Sequence, residues 1–152
     1  MDYAILWPVA RAIPDATSEA LTDFLFERIY LDYGAPKEIV TNQGKNLWAP
    51  AMETLLKRLN VKHRGTTTYH PRINSAVESF NSTLGKMLTK YLINRPTNQW
   101  DLYLDQALFS FKVQTHSTTR FSPFFLLYGH EPKLSTDEAG LTPMSDNVIA
   151  DR

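Results

Sequence analysis

The stretch Thr67-Thr-Tyr-His-Pro-Arg-Ile-Asn-Ser-Ala-Val-Glu-Ser-Phe-Asn81 decides how this chain is read, because it joins a stiff Tyr-His-Pro turn to a helix carrying one placed carboxylate. Pro71 fixes its own φ and biases His70 away from helical geometry, so the chain reads as extended up to His70 and helical after it. From there Ile73, Ala76, Val77, Phe80, Leu84, Met87, Leu88 and Tyr91 recur at helical spacing. They predict one buried stripe on a helix that runs to about Asn94, before Pro96. Glu78 lies off that stripe, on a polar flank with Asn74, Asn81 and Gly85. A carboxylate one turn into a helix, after a polar loop, suits metal coordination; the same spacing also describes a solvated surface glutamate.

Upstream of this stretch the chain alternates between strand and helix signals. Trp7 to Pro14 reads as a short strand bracketed by prolines. Asp15-Ala-Thr-Ser18 offers N-caps for a helix to about Tyr33, with Ala20, Leu21, Phe24, Leu25 and Ile29 inward, stopped by Gly34-Ala-Pro36. Glu38 to Thr41 is a brief β-branched strand, and Asn42-Gln-Gly-Lys-Asn46 is the loop leaving its end, where catalytic groups of α/β sheets collect. Trp48 to Leu59 predicts a helix with Met52, Leu55, Leu56 and Leu59 inward, and Val61 to Arg64 a second short strand. Downstream, Trp100 to Gln114 predicts a helix whose apolar side is Leu102, Leu104, Ala107, Leu108 and Phe111, with Asp101 and Asp105 as solvated charges. Ser122-Pro123 opens a last short helix, whose Phe124-Phe125-Leu126-Leu127 is read as packing. From Ser135 on, large apolar residues are few. The expected division is therefore one domain over residues 1–134 and a disordered tail over 135–152.

At 152 residues and 43% hydrophobic content, with three Trp and eight Phe, the chain can bury a core. No apolar run reaches membrane-spanning length and no secretion signal opens the sequence, so an intracellular location and no membrane partner are expected. Cysteine is absent, which excludes disulfides and thiolate zinc sites, and His63, His70, His116 and His130 lack zinc-ligand spacing. The 16 basic residues balance the 16 acidic ones. The part from Ser135 on holds four of the acids and one of the bases, which leaves 15 basic against 12 acidic before it. Between Glu53 and Glu78 there is no acid, while Lys57, Arg58, Lys62, Arg64 and Arg72 are positive. Such a run is either a solvated face or a phosphate contact.

Three motifs taken together, Ile39-Val-Thr-Asn-Gln-Gly-Lys-Asn46, the Tyr69-His-Pro to Glu78 stretch and Ser122-Pro-Phe-Phe-Leu-Leu-Tyr-Gly129, resemble the integrase catalytic core of Ty3/gypsy-type retrotransposons and, more distantly, of retroviruses. The match runs from about Asp2 to Leu134. It implies an α/β, RNase H-like fold with a helix-rich C-terminal half, in which the first, central strand would precede Met1. It also implies DNA as partner, a homo-oligomer or an intact integrase as a protein partner, and the nucleus as a compartment.

The resemblance further implies two Asp and one Glu around two divalent ions, Mg2+ or Mn2+, one activating the attacking oxygen and the other stabilising the leaving one. Glu78 corresponds to the Glu. The second Asp belongs in the Thr-Asp-Gln-Gly element, here Thr41-Asn42-Gln43-Gly44, so Asn42 fills its place. The first Asp sits on the strand that precedes Met1-Asp2-Tyr3, and Asp2 is not its substitute. Lys45, Lys62, Arg64, Tyr69, His70, Arg72, Asn74 and Lys86 are the positions expected to touch nucleic acid, and Ser75 replaces a hinge glycine of the family. On this reading the chain is catalytically inactive. The alternatives are a non-enzymatic nucleic-acid or protein-binding module kept by a host, and a piece of an active integrase polyprotein with a misassigned start.

Overall fold

The computed structural model describes residues 1–66 and 71–134, with 71–74 described by backbone alone. The expected residue 135–152 tail lies outside the described residues, as do Tyr69 and His70.

Helix α1, Ser18–Leu25, starts where Thr17 Oγ1 accepts the Ala20 N–H at 3.1 Å, so Thr17 is the N-cap. It runs through a π-helical stretch, Phe26–Tyr30, into the last turn α2, Leu31–Tyr33, and ends at Gly34, whose φ of 84° suits only glycine well. Strand β1, Glu38–Thr41, pairs in parallel with β2, Lys62–Gly65, in the register Ile39 to His63 and Thr41 to Gly65. Between them a 3-10 turn, Lys45–Trp48, leads into helix α3, Pro50–Arg58. Trp48 was expected inside that helix. Pro50 sets the boundary instead: it occupies the first helical turn, where no N–H is needed, and pushes Ala49 to an extended ψ of 152°. Met52 and Leu56 of α3 close a core with Leu25 and Val61, against which Leu21, Ile39, Leu47, Leu55 and Leu59 pack.

The second half builds its own core from helices. In α4, Pro71–Tyr91, Phe80 is buried and Leu84 and Met87 lie beside it, as the stripe predicts. The helix stops at Tyr91 rather than Asn94; the chain turns at Asn94, whose φ is 60°, a left-handed conformation that Asn tolerates. A 3-10 segment, Thr97–Tyr103, precedes α5, Leu104–Val113, which offers Leu104, Leu108 and Phe111 to Phe80. Phe80 and Phe111 meet edge to face at 4.9 Å. Leu102, expected on the apolar side, is instead 62% exposed. It lies in the tighter 3-10 winding, which puts it out of phase with the α5 stripe. Helix α6, Pro123–Tyr128, is capped by the fully buried Ser122, which accepts the Phe125 N–H at 2.9 Å and donates to Glu131 Oε2 at 2.8 Å.

The Trp7–Pro14 segment is not a strand: among the described residues the sheet has two strands, β1 and β2. Pro8 and Pro14 lack an N–H donor for a ladder, and neither β1 nor β2 pairs with the segment. The segment is held by side chains instead. Asp2 Oδ1 accepts the N–H groups of Ala4 and Ile5, the Asp2 N–H bonds Trp7 O, and Leu6 takes a φ of 56° to close the loop. Trp7, 6% exposed, then lies between the two halves. Its indole N–H donates to Tyr33 Oη at 2.9 Å, Tyr128 meets its ring edge-on at 5.7 Å, and Lys112 Nζ sits 4.3 Å over it. Met1, Ala10 and Ala12 pack on the Phe80 cluster, while Arg11 pairs with Glu27 beside α1.

Candidate nucleic-acid interface

Asn42 follows directly on β1, so the strand delivers it to the exposed strand end that the sequence singles out. Its side-chain oxygen accepts the Gly44 N–H at 3.0 Å, closing a small turn, and its carbonyl accepts the Trp48 indole N–H at 3.1 Å. Glycine at 44 lets the turn close tightly, since a Cβ there would stand 3.0 Å from Asn42 Oδ1 and push the amide outward by a few tenths of an ångström. Glu78 is exposed on the second turn of α4, and Asn81, Ser82, Gly85 and Lys86 share its solvent side. Its place off the apolar stripe is as expected. Among the described residues no three His, Cys, Asp or Glu side chains come together where they could hold a metal ion. Asp2, occupied in its own turn, takes no part.

The basic positions divide by strand geometry. Alternation along β2 puts Lys62 and Arg64 on one face, both exposed, and His63 and Gly65 on the other. Arg64 Nε lies 3.0 Å from Glu38 Oε1 across the pair, so this cation is partly neutralised where it stands. Lys45 is exposed on the 3-10 turn and Lys86 on α4. Arg72 and Asn74 belong to the first turns of α4 by backbone, and Ser75 is exposed on the same helix.

Sequence reasoning missed the pair behind the Asn42 turn. The rings of Trp48 and His63 stack at 4.0 Å, inclined by 16°. His63 Nε2 shares a 2.8 Å hydrogen bond with Thr41 Oγ1, while the buried Nδ1 has no partner among the described residues. A neutral ring with its proton on Nε2 fits this arrangement, since a proton on Nδ1 would be a buried donor without an acceptor. Burial holds the His63 pKa below the ordinary histidine value, with the Glu53 charge opposing. The one signal available in the sequence was the local turn chemistry of Asn-x-Gly followed by an aromatic residue.

The fold is that of an RNase H-like integrase catalytic core. The chain superposes on the catalytic core domain of BIV integrase with a TM-score of 0.68 at 19% identity, covering 80% of this chain and 78% of that one. It superposes on the HTLV-2 integrase catalytic core domain, a trimeric form in complex with magnesium, with a TM-score of 0.56 at 20% identity over 72% and 69%. In sequence, its relatives are Pol polyproteins of retroviruses and of transposons. It is 27% identical over 128 residues to the Pol polyprotein of Radiation murine leukemia virus (strain Kaplan), across 84% of this chain and 22% of the relative. It is 25% identical over 132 residues to the Tf2-3 transposon polyprotein of Schizosaccharomyces pombe (strain 972 / ATCC 24843), across 87% and 10%. The chain thus spans less than a quarter of the length of these relatives. No family model matches the sequence. No helix among the described residues is long and apolar enough to cross a membrane.

Proposed function

We propose that this chain is a retrotransposon integrase-core derivative that has kept the fold and lost the strand-joining chemistry, with nucleic-acid binding as its remaining activity. The observation that carries the reading is Asn42 at the position of the second carboxylate. Phosphoryl transfer by two metal ions needs anionic oxygens, because Mg2+ gives up its waters reluctantly and binds protein through carboxylates. The Asn42 oxygen is neutral and already accepts the Gly44 N–H. Glu78 is then an exposed carboxylate, and among the described residues no three His, Cys, Asp or Glu side chains come together as a metal site. These side chains do not fit a two-metal centre, so no catalytic step is assigned to them. A longer polyprotein containing this stretch would meet the same obstacle at Asn42.

Binding rests on Lys45, Lys62, Arg64 and Lys86, with Tyr69, His70, Arg72 and Asn74, which precede Glu78 in the sequence, as further contacts. Phosphate contacts by these cations would make affinity fall steeply with salt. The test is incubation of the purified chain with labelled duplex DNA and Mg2+ or Mn2+, followed by separation of joined and cleaved products, alongside DNA-binding titrations at several salt concentrations. The expected outcome is salt-dependent binding and no joined product, for the native chain and for Asn42→Asp alike. Metal-dependent joining by the native chain would overturn the reading, and so would an absence of any DNA affinity at low salt.

A further inference from the structure

We propose that the outer face of Trp48 is a stacking platform for an unpaired DNA base, a feature that rests on the nucleic-acid-binding reading above and names the form of DNA it prefers. Trp48 is 38% exposed, although its indole is fixed on three sides. One ring face lies against His63 at 4.0 Å, the indole N–H is tied to the Asn42 carbonyl at 3.1 Å, and the Cζ2 edge lies over Gly65, where an added Cβ would come within 3.3 Å. What remains open is the opposite face and rim of a ring that cannot easily turn away. A pre-fixed aromatic plane loses little freedom on binding, which is the property that makes aromatic residues effective contacts for single-stranded nucleic acid.

The surroundings specify the chemistry of the occupant. Trp48 and Lys45 are the two ends of one 3-10 turn, and side chains three apart in that winding lie one above the other, so a cation stands on the same face as the ring. Gln43 belongs to the same neighbourhood, its Cγ and the Trp48 Cζ2 edge both flanking Gly65, at 3.9 and 3.3 Å from where a Cβ would stand. A flat π-surface next to a cation matches a base with its flanking phosphate. A base inside a duplex has both faces covered by its neighbours and cannot use the platform, so the preference is for single-stranded DNA. His63 acts here as a positioning residue: its bond to Thr41 Oγ1 fixes the plane on which Trp48 rests.

The test uses the whole chain labelled with 5-fluorotryptophan and a fluorescein-tagged 15-nucleotide single strand, with the blunt duplex and the RNA of the same sequence as comparisons. Trp48→Ala is expected to weaken single-strand binding about tenfold and duplex binding less than about twofold, while Trp100→Ala, at an exposed tryptophan outside the site, changes neither. In the fluorine spectrum, the resonance that Trp48→Phe removes is the one expected to move when the single strand is added, a readout that does not depend on how the alanine variant folds. Equal binding by native protein and Trp48→Ala, movement of another tryptophan's resonance instead, or tighter binding of the RNA than of the DNA would each overturn the proposal. Duplex binding without single-strand binding would overturn it and leave the nucleic-acid reading standing; binding of neither would remove both.

Discussion

Replacing Trp7 by alanine probes how the two halves are held together. The indole is 6% exposed and lies between Tyr33 on one side and Lys112, Phe124 and Tyr128 on the other. Truncating a buried Trp to Ala costs about 3–5 kcal/mol through lost transfer energy and the cavity left behind. The bond to Tyr33 adds about 0.5–1.5 kcal/mol, without a further penalty, because Tyr33 is 47% exposed and its hydroxyl can turn to water. The Lys112 contact over the ring is lost as well, though its ammonium is then free to hydrate. A loss of about 4 kcal/mol is expected, a large share of the roughly 5–15 kcal/mol by which small domains are stable. Urea unfolding followed by circular dichroism measures it, with Trp7→Phe and Tyr33→Phe combined in a double-mutant cycle to isolate the hydrogen bond at about 1 kcal/mol. A Trp7→Ala loss below about 1 kcal/mol would refute the argument, since it would mean the halves do not need the seam.

Two further predictions concern single side chains. Because burial lowers the folded His63 pKa below its ordinary 6.5, the unfolded chain takes up the proton first; the stability His63 contributes is present above pH 6.5 and lost as pH falls through the folded value. Urea midpoints between pH 7.5 and 5 should therefore fall in the native chain and fall less in His63→Phe, which keeps a ring under Trp48; equal slopes would sink the assignment. Ser122→Ala should cost about 1–2 kcal/mol, as it removes the α6 cap and leaves the Phe125 N–H and the Glu131 carboxylate without the hydroxyl, and an unchanged melting temperature would contradict it.

The elements that sequence reading recovered are those whose signal is local. Pro71 and Pro123 mark the starts of α4 and α6, and the stripe through Phe80, Leu84 and Met87 gives α4 its buried side. The pattern around Trp7 misled because β-branched and aromatic residues between prolines describe a preference, whereas a strand exists only when another strand pairs with it. Here the ring finds a buried place and the backbone stays out of the sheet. Leu102 misled for a different reason: a change of winding from 3.6 to 3.0 residues per turn leaves no mark in the sequence. At the site, Asn42 and Glu78 stand out by motif order, and the structure leaves both exposed, Asn42 just after β1 and Glu78 on α4. The Trp48–His63 stack does not stand out, since it depends on the register that sets His63 and Gly65 under the 3-10 turn.

The seam at Trp7 also imposes an order on synthesis. The residues from Met1 to Ala12 leave the ribosome about a hundred residues ahead of α5 and α6, against which they finally pack. The core that Val61 closes against α1 and α3 can form in the meantime, since Leu25, Met52, Leu56 and Val61 all lie in the earlier part of the chain. Trp7 must therefore wait, with its ring in water or in passing contacts, until Lys112, Phe124 and Tyr128 have been made. Residues made well before their partners are thus among the last to be locked, and during that interval the nascent chain presents an unburied tryptophan that a chaperone could hold.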